Sequence, residues 1–418
     1  MTTADDTVSS EWVTRVTKAH LGSGRAQVGT MVGGHVEVES DGVWIYTSDG
    51  GKFLNVGGYG VFIMGARHPR VLEEVERQLN THPVGTRMFL EPTAARAAQL
   101  LTSVTPPGLD RVYFAGSGTE ATEAAIKIAR LSGHRHLIST HGGYHGKTLG
   151  ALSITAKSVY QDPFRPLLPD VTHIPYNDTA ALAAVLERHG ESACVFLEPV
   201  QGEGGVIVPA PGYLKTARAL CTEYGAMLVV DEIQTGLGRL GAWWGCDKEQ
   251  VVPDILLSGK ALGGGVMPVS AVIAAKDAFT LLERDPFLHT STFSAAPLAM
   301  AAVCGAIEAI REDGLVDKAA ALGEQLATAI TEITARHFGP RLHEVRASGL
   351  LIGIELTEPG MAGALLIDLV DNNIIANFSL NSNTVLRLTP SAIMTADDVD
   401  FLLDRFERAV RTTAGYFS

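Results

Sequence analysis

Residues 256–265 read Leu-Leu-Ser-Gly-Lys-Ala-Leu-Gly-Gly-Gly, a lysine set between an apolar run and a run of very small residues. Lys260 is the only charged residue between Asp254 and Lys276. A lysine needs water or a partner, and an ammonium deprived of both tends to shed its proton. Gly263, Gly264 and Gly265 offer no side chain to shield it. Either Lys260 reaches the surface or something is bound to it.

Outward from this point the chain alternates short β-branched runs with helical segments. The runs are RVYFAG, HLIST, CVFLEPV, AMLVVDE, DILLSG and VSAVIAA; the helical segments include VLEEVERQL, TAARAAQLL and TEATEAAIKIAR. Strands alternating with helices predict crossover connections and a largely parallel sheet covered on both faces. Residues 34–56 instead alternate apolar and polar around Asp-Gly and Asp-Gly-Gly turns, which predicts a small antiparallel meander. Beyond about residue 298 come a long helix, a strand set (GLLIGIEL, IIANF, VLRLTP) and a closing helix. That last helix opens on a Thr395/Asp398 capping pair and carries Val399, Leu402, Leu403, Phe406 and Val410 on one face. The expected architecture is α/β. Residues 57–297 form a large domain on a mainly parallel sheet, residues 298–418 a smaller α+β domain, and residues 1–56 an N-terminal segment packing on the smaller one.

The 418 residues carry 33 Lys+Arg against 46 Asp+Glu, a net charge of −13, with no basic block. This argues against a nucleic-acid or anionic-membrane partner. The opening residues MTTADDTVSSEWV have neither a basic start nor an apolar run and do not read as a leader. No stretch approaches the roughly 20 apolar residues that span a bilayer. Cys194, Cys221, Cys246 and Cys304 lack paired spacing, which fits reduced thiols and a cytoplasmic setting.

Open α/β sheets bind ligands beyond the C-terminal ends of their strands. Three successive strand ends here are charged: Glu198, Asp231 and Lys260. Asp231 and Lys260 lie about one crossover unit apart and face one crevice, where they are either an inert ion pair or part of a ligand site. A further strand runs into Gly116-Ser117-Gly118-Thr119 and then a helix, an arrangement that lets backbone N–H groups meet an anion. Many such turns hold no phosphate. Taken together, the three features describe one ligand with a phosphate, a reactive carbonyl and a basic ring nitrogen, the anchors that pyridoxal 5′-phosphate (PLP) needs. Tyr144, in a glycine-rich loop, offers an aromatic face for the ring; the bland alternative is a core aromatic. His141 and His145 have the spacing of a metal pair on a helix, but Gly142, Gly143 and Gly146 speak against a helix there. No metal site is expected.

The segments VFLEPVQGEGGV (195–206), LVVDEIQTGLGR (228–239) and SGKALGGGVMP (258–268) resemble the class III PLP-dependent aminotransferases, in order and spacing, from about residue 35 to the end. The resemblance implies a fold-type-I homodimer with both active sites at the subunit interface; whether dimers pair into tetramers stays open. It implies Lys260 as the Schiff-base lysine, Asp231 as the pyridinium partner and Gln234 near the ring oxygen. It also implies Tyr144 as the stacking aromatic, Ser117, Gly118 and Thr119 as the phosphate loop, and Thr292 as the residue reaching the neighbouring subunit's phosphate. Two departures stand out: Ser294-Ala295-Ala296 replaces Gly-Gly-Asn, and Gly116 replaces Asn.

Arg387 matches the family arginine for the α-carboxylate of glutamate or 2-oxoglutarate, a task suited to a guanidinium fork. Glu203 matches a glutamate that pairs with it when the substrate lacks that carboxylate, since an unpaired buried charge is costly. Where ornithine- and acetylornithine-type enzymes carry an arginine for a second carboxylate, this chain has Lys147. The stretches HGKTLGALSITAKS, DPFRPLLPDVTHIPY and DPFLHTSTF most resemble putrescine aminotransferases, and Tyr59 is expected to border the donor pocket. The expected reaction moves a terminal amino group from a putrescine-like diamine to 2-oxoglutarate. The alternatives are ornithine, acetylornithine or 4-aminobutyrate as donor, glutamate-dependent amination of an aldehyde, an aminomutase, or a non-catalytic PLP-binding scaffold.

Overall fold

The computed structural model describes residues 9–417; residues 1–8, part of the opening stretch read for a leader, lie outside the described residues. The chain enters through two short helices, Ser10–Val16 and Ser23–Met31, that bury almost none of their side chains. The strands β1 (Glu37–Asp41), β2 (Trp44–Thr47) and β3 (Lys52–Asn55) follow as an antiparallel meander. Gly42 takes φ +54 at the first reversal, where a side chain would be strained.

The central sheet holds seven strands: β4 (Leu109–Ala115), β5 (His136–Thr140), β6 (Val171–Ile174), β7 (Ala193–Leu197), β8 (Met227–Asp231), β9 (Ile255–Ser258) and β10 (Ser270–Ala275). Their order is β4-β10-β9-β8-β7-β5-β6. Only β10 runs against the rest, antiparallel to both β4 and β9. Every residue of β7, β8 and β9 is buried, which is why these strands read as unbroken apolar runs. Their side chains divide with period two. Val195, Leu197, Leu228, Val230 and Leu256 enter one core, while Cys194, Phe196, Met227, Val229, Ile255 and Leu257 enter the other.

Helix Pro297–Glu312 leads into helix Leu315–Phe338 and an antiparallel sheet of β11 (Leu342–Ser348), β12 (Leu351–Leu356), β14 (Asn377–Phe378) and β15 (Val385–Leu388), ordered β11-β12-β15-β14. Between these, β13 (Ile374–Ile375) leaves that sheet and pairs in parallel with β3. The single apolar run IIANF thus feeds two sheets. The closing helix Ala396–Tyr416 begins at a reciprocal cap: Asp398 N donates to Thr395 Oγ1 (3.2 Å), and Thr395 N donates to Asp398 Oδ2 (2.9 Å). Strands β6 and β11, absent from the sequence reading, are edge strands with half-exposed side chains and no clean alternation.

Candidate active site

The ends of β7, β8 and β9 converge. Asp231, the last residue of β8, is 5% exposed; its Oδ1 accepts from Ile233 N (3.1 Å) and its Oδ2 lies 2.8 Å from His145 Nδ1. Burial alone would push the His145 imidazole down, but the Asp231 hydrogen bond and charge, with Glu198, overcome it and raise its pKa. His145 Nε2 is buried with no hydrogen-bond partner among the described residues. Glu198 follows β7 and accepts from Tyr144 N (2.9 Å) and Gly202 N (3.3 Å). Burial pushes its carboxyl up to about 7, opposed by the His145 charge and these backbone donors.

Lys260 stands two residues beyond β9 with φ +46, a left-handed conformation that costs an L-residue energy and marks sites held by their surroundings. No hydrogen bond holds its ammonium among the described residues. Burial lowers its pKa to about 8, and Glu203 is the charge that most opposes the drop, ahead of Asp231 and Glu198. A lysine so placed gives up a proton near neutral pH and takes it back.

Opposite these groups lies a buried ion pair. Arg387, on β15, sets Nη1 2.8 Å from Glu203 Oε1, both side chains being almost wholly out of water. Nη1 also donates to Gln234 Oε1 at 3.3 Å, whereas Nε and Nη2 have no partner. The guanidinium lies 6.0 Å from the centroid of the Tyr59 ring, and Tyr59 takes φ +54. Gln234 Nε2 donates to Tyr59 O (3.3 Å), joining the β8 loop to that wall. A side chain at position 202 would collide with the Gln234 amide, so the first glycine of QGEGG is required by close approach.

Helix Gly118–Leu131 opens behind Ser117, and no side chain caps it. Its first-turn N–H groups are therefore open to an anion. A Cβ at Gly118 or Gly259 would press on the Ile233 side chain, at 3.0 and 3.2 Å, so this turn, the Asp231 loop and the Lys260 turn pack as one unit. Hydroxyls are already engaged: Ser117 Oγ donates to Glu120 (3.0 Å), and Thr119 Oγ1 is 2.7 Å from Thr148 Oγ1. The set fits PLP. A free amine with a lowered pKa suits the carbonyl, a buried carboxylate suits the ring nitrogen, and an uncapped helix start suits the phosphate.

Two expected residues stand apart from this cluster. Lys147 is exposed, with Nζ 4.0 Å from the centroid of the Tyr160 ring. Thr292 is exposed and has no hydrogen bond within the chain among the described residues. Sequence reasoning misses His145 as a partner of Asp231; the available signal is a histidine directly after Tyr144, in the loop expected to cover the same ligand as that carboxylate. Among the described residues no group of three or more His, Cys, Asp or Glu could hold a metal ion. No described helix is long and apolar enough to cross a membrane.

This sheet order, with the lysine and the carboxylate at neighbouring strand ends, defines a PLP-dependent transferase of fold type I. The chain matches Aminotransferase class-III over residues 27–410 and belongs to that family, so it is a PLP-dependent aminotransferase acting on an amine donor and a keto acid. Among solved structures it is similar to the ornithine aminotransferase of Toxoplasma gondii, at 29% identity over 98% of this chain and 96% of that one, TM-score 0.90. That structure shows partial occupancy of PLP at its active site. The chain is also similar to the acetylornithine aminotransferase of Elizabethkingia anophelis (28% identity, 96% and 98% covered, TM-score 0.82). A third match is the (S)-enantioselective omega-transaminase of Thermomicrobium roseum (26% identity, 98% and 99% covered, TM-score 0.88).

Proposed function

We propose that this aminotransferase moves a terminal primary amino group from a putrescine-like diamine to 2-oxoglutarate, giving an amino-aldehyde and glutamate. The observation that carries the reading is the buried Arg387–Glu203 pair at 2.8 Å. A donor whose reacting end bears no carboxylate leaves Arg387 in need of an anion, and Glu203 supplies it. A 2-oxo acid brings its own carboxylate, and Glu203 then withdraws. Within the carboxylate-free donors, Lys147 in place of an arginine fork supports the diamine. The similarity to ornithine and acetylornithine aminotransferases favours a second reading, an ornithine-type donor with a distal carboxylate.

Bound here, PLP supplies a carbonyl that takes up the amino group and a ring that accepts electrons from the carbon losing a proton. Lys260 would hold that carbonyl, and its Nζ, with a pKa lowered to about 8, would take up and return a proton, a task for a base poised near neutral pH. Asp231, oriented by His145, would pair with the ring nitrogen and favour its protonated form. Gln234 would serve the ring oxygen, Tyr144 would stack on the ring, and Ser117, Gly118 and Thr119 would hold the phosphate. Tyr59 borders the donor.

The same reading makes the enzyme a homodimer in which Thr292 completes the phosphate site of the other subunit. Met88, Phe89, Leu90, Phe287 and Phe293 are exposed on the single chain, and Arg87 donates to Ser291 O, tying the two segments into one face. We keep the division at 57–297 and 298–418, supported by the separate sheets on either side of it. The cytoplasm remains the proposed compartment, supported by four free, buried cysteines.

The test is a half-reaction. The purified yellow enzyme is mixed in turn with putrescine, ornithine, 4-aminobutyrate and glutamate, and its visible spectrum is followed. Rapid bleaching by putrescine, reversed by 2-oxoglutarate, supports the diamine donor. Bleaching by glutamate alone makes an aldehyde the natural acceptor and ends the diamine reading.

A further inference from the structure

The hairpin that carries Arg387 also grips its counter-ion. Strands β14 and β15 pair antiparallel, and the turn between them, residues 379–384, hydrogen-bonds to the Glu203 and Gly142–Gly143 loops. Leu380 N donates to Glu203 Oε2 at 2.8 Å, while Glu203 Oε1 faces Arg387. Glu203 is thus held from two points of one hairpin: its strand supplies the cation and its turn supplies an N–H. Asn381 N donates to Glu203 O (2.9 Å), and Asn381 Nδ2 donates to Gly142 O (2.9 Å) and Gly143 O (3.1 Å).

The carbonyls of the turn are held by two residues of the segment around helix Ser158–Gln161. Tyr160 Oη donates to Leu380 O (2.8 Å), and Lys157 Nζ donates to Asn381 O (2.8 Å). Both side chains are partly buried. Neither hydrogen-bonds to Arg387 among the described residues, and each donates to a carbonyl of the turn whose amide side holds Glu203. Tyr160 also carries Lys147 Nζ over its ring, and burial together with the Glu203 charge raises its hydroxyl pKa.

We propose that Lys157 and Tyr160 are positioning residues that set how readily Arg387 is released to a carboxylate substrate, by clamping the turn whose Leu380 N–H fixes Glu203. The proposal rests on the reading of Glu203 and Arg387 as an exchangeable pair. With the clamp intact, the paired state is favoured and a carboxylate-free amine finds a neutralised pocket. With it loosened, the Leu380 N–H holds Glu203 less firmly, Glu203 leaves more easily, and a dicarboxylate gains Arg387 at the amine's expense. The two substrates must therefore respond in opposite directions, which a general loss of structure does not produce.

The experiment compares the holoenzyme with Tyr160→Phe, Lys157→Met and Lys157→Arg. Each is assayed for its apparent KM toward putrescine in the amine half-reaction, its apparent KM toward the oxo-acid acceptor, and inhibition by glutarate, an unreactive dicarboxylate. Loss of one hydrogen bond from the clamp is expected to lower the oxo-acid KM and the glutarate inhibition constant about threefold in Tyr160→Phe and in Lys157→Met. The amine KM is expected to rise by a similar factor, and Lys157→Arg, which keeps a donor, is expected to restore parental values. If both KM values move together, or neither moves, the clamp is overturned. Arg387→Ala tests the underlying pair separately. If it leaves the 2-oxoglutarate half-reaction at the parental rate and KM, the exchange itself falls, and the clamp with it. If Arg387→Ala cripples that half-reaction while the clamp variants are silent, only the clamp falls.

Discussion

Removing the Glu203 carboxylate should expose what it costs to keep Arg387 in the pocket. The Arg387 side chain is wholly buried; among the described residues its carboxylate partner is Glu203, its other hydrogen bond goes to the Gln234 amide oxygen at 3.3 Å, the Tyr59 ring lies 6.0 Å away, and Nε and Nη2 have no hydrogen-bond partner. In Glu203→Ala the guanidinium keeps its charge without an anion, a situation that destabilises proteins by about 3–5 kcal/mol. Leu380 N–H loses its acceptor as well, for about 1 kcal/mol more. A dicarboxylate should repair the damage, since a ligand of the folded state at about 100 times its dissociation constant stabilises by about 2.7 kcal/mol. The assay is urea unfolding of the holoenzyme, parent and Glu203→Ala, with and without glutarate. The midpoint should fall in the variant, and glutarate should restore it more than it raises the parent's, because in the parent it must displace Glu203. Glu203 is also the charge that most supports the Lys260 proton, so the Lys260 pKa should drop below about 8 and the acidic limb of the activity profile, where a required base gains its free form, should move to lower pH. A stability loss under about 1 kcal/mol, or equal protection of both proteins by glutarate, would sink this account, because Arg387 would then not depend on Glu203 for its charge.

Lys260→Ala should fold and lose at least about 10³-fold in steady-state transamination, the scale of a positioned proton-transfer group; full turnover would dismantle the mechanism. Glu198 is held up at about 7 against an ordinary 4.5 by burial, so the folded state favours its protonated form. The stability it contributes is present below about pH 4.5 and lost as pH rises through about 7, so Glu198→Gln should gain stability relative to the parent between pH 5 and 8, read from urea midpoints at each pH. Ala295 adopts φ +54, where an L-residue is strained, so Ala295→Gly should stabilise by about 0.5–1 kcal/mol after the added freedom of the unfolded chain is deducted. An unchanged or lower melting temperature would show that the strain is not relieved there.

What can be read along the chain, and what cannot, follows from how far each residue's environment is set by its own neighbours. Strands β7, β8 and β9 are legible because burial on both faces demands unbroken apolar residues. The edge strands β6 and β11 carry no such demand, and helices Ser10–Val16 and Ser23–Met31 show no apolar face because they bury almost nothing within this chain. Asp231 and Lys260 are legible because charge at the end of an apolar strand is costly and needs a reason. Arg387 and Glu203 are different: nothing near either one in sequence calls for the other, and only the family resemblance pairs them. Local spacing offers His145 as a metal ligand, whereas its partner Asp231 is 86 positions away. Tyr160 and Lys157 are unmarked for the same reason, their acceptors lying 220 and 224 positions downstream. Ala295 shows the converse. Its strain comes from the turn that Ser294 pins to Phe114 O at 2.6 Å, and an alanine where the family has glycine marks the position of that strain in the sequence without naming its cause. Chemistry imposed by the chain itself is therefore written locally, and chemistry imposed by a distant partner is written only as an anomaly awaiting one. In this enzyme the first kind predominates at the cofactor end of the site and the second at the end proposed to choose the amine.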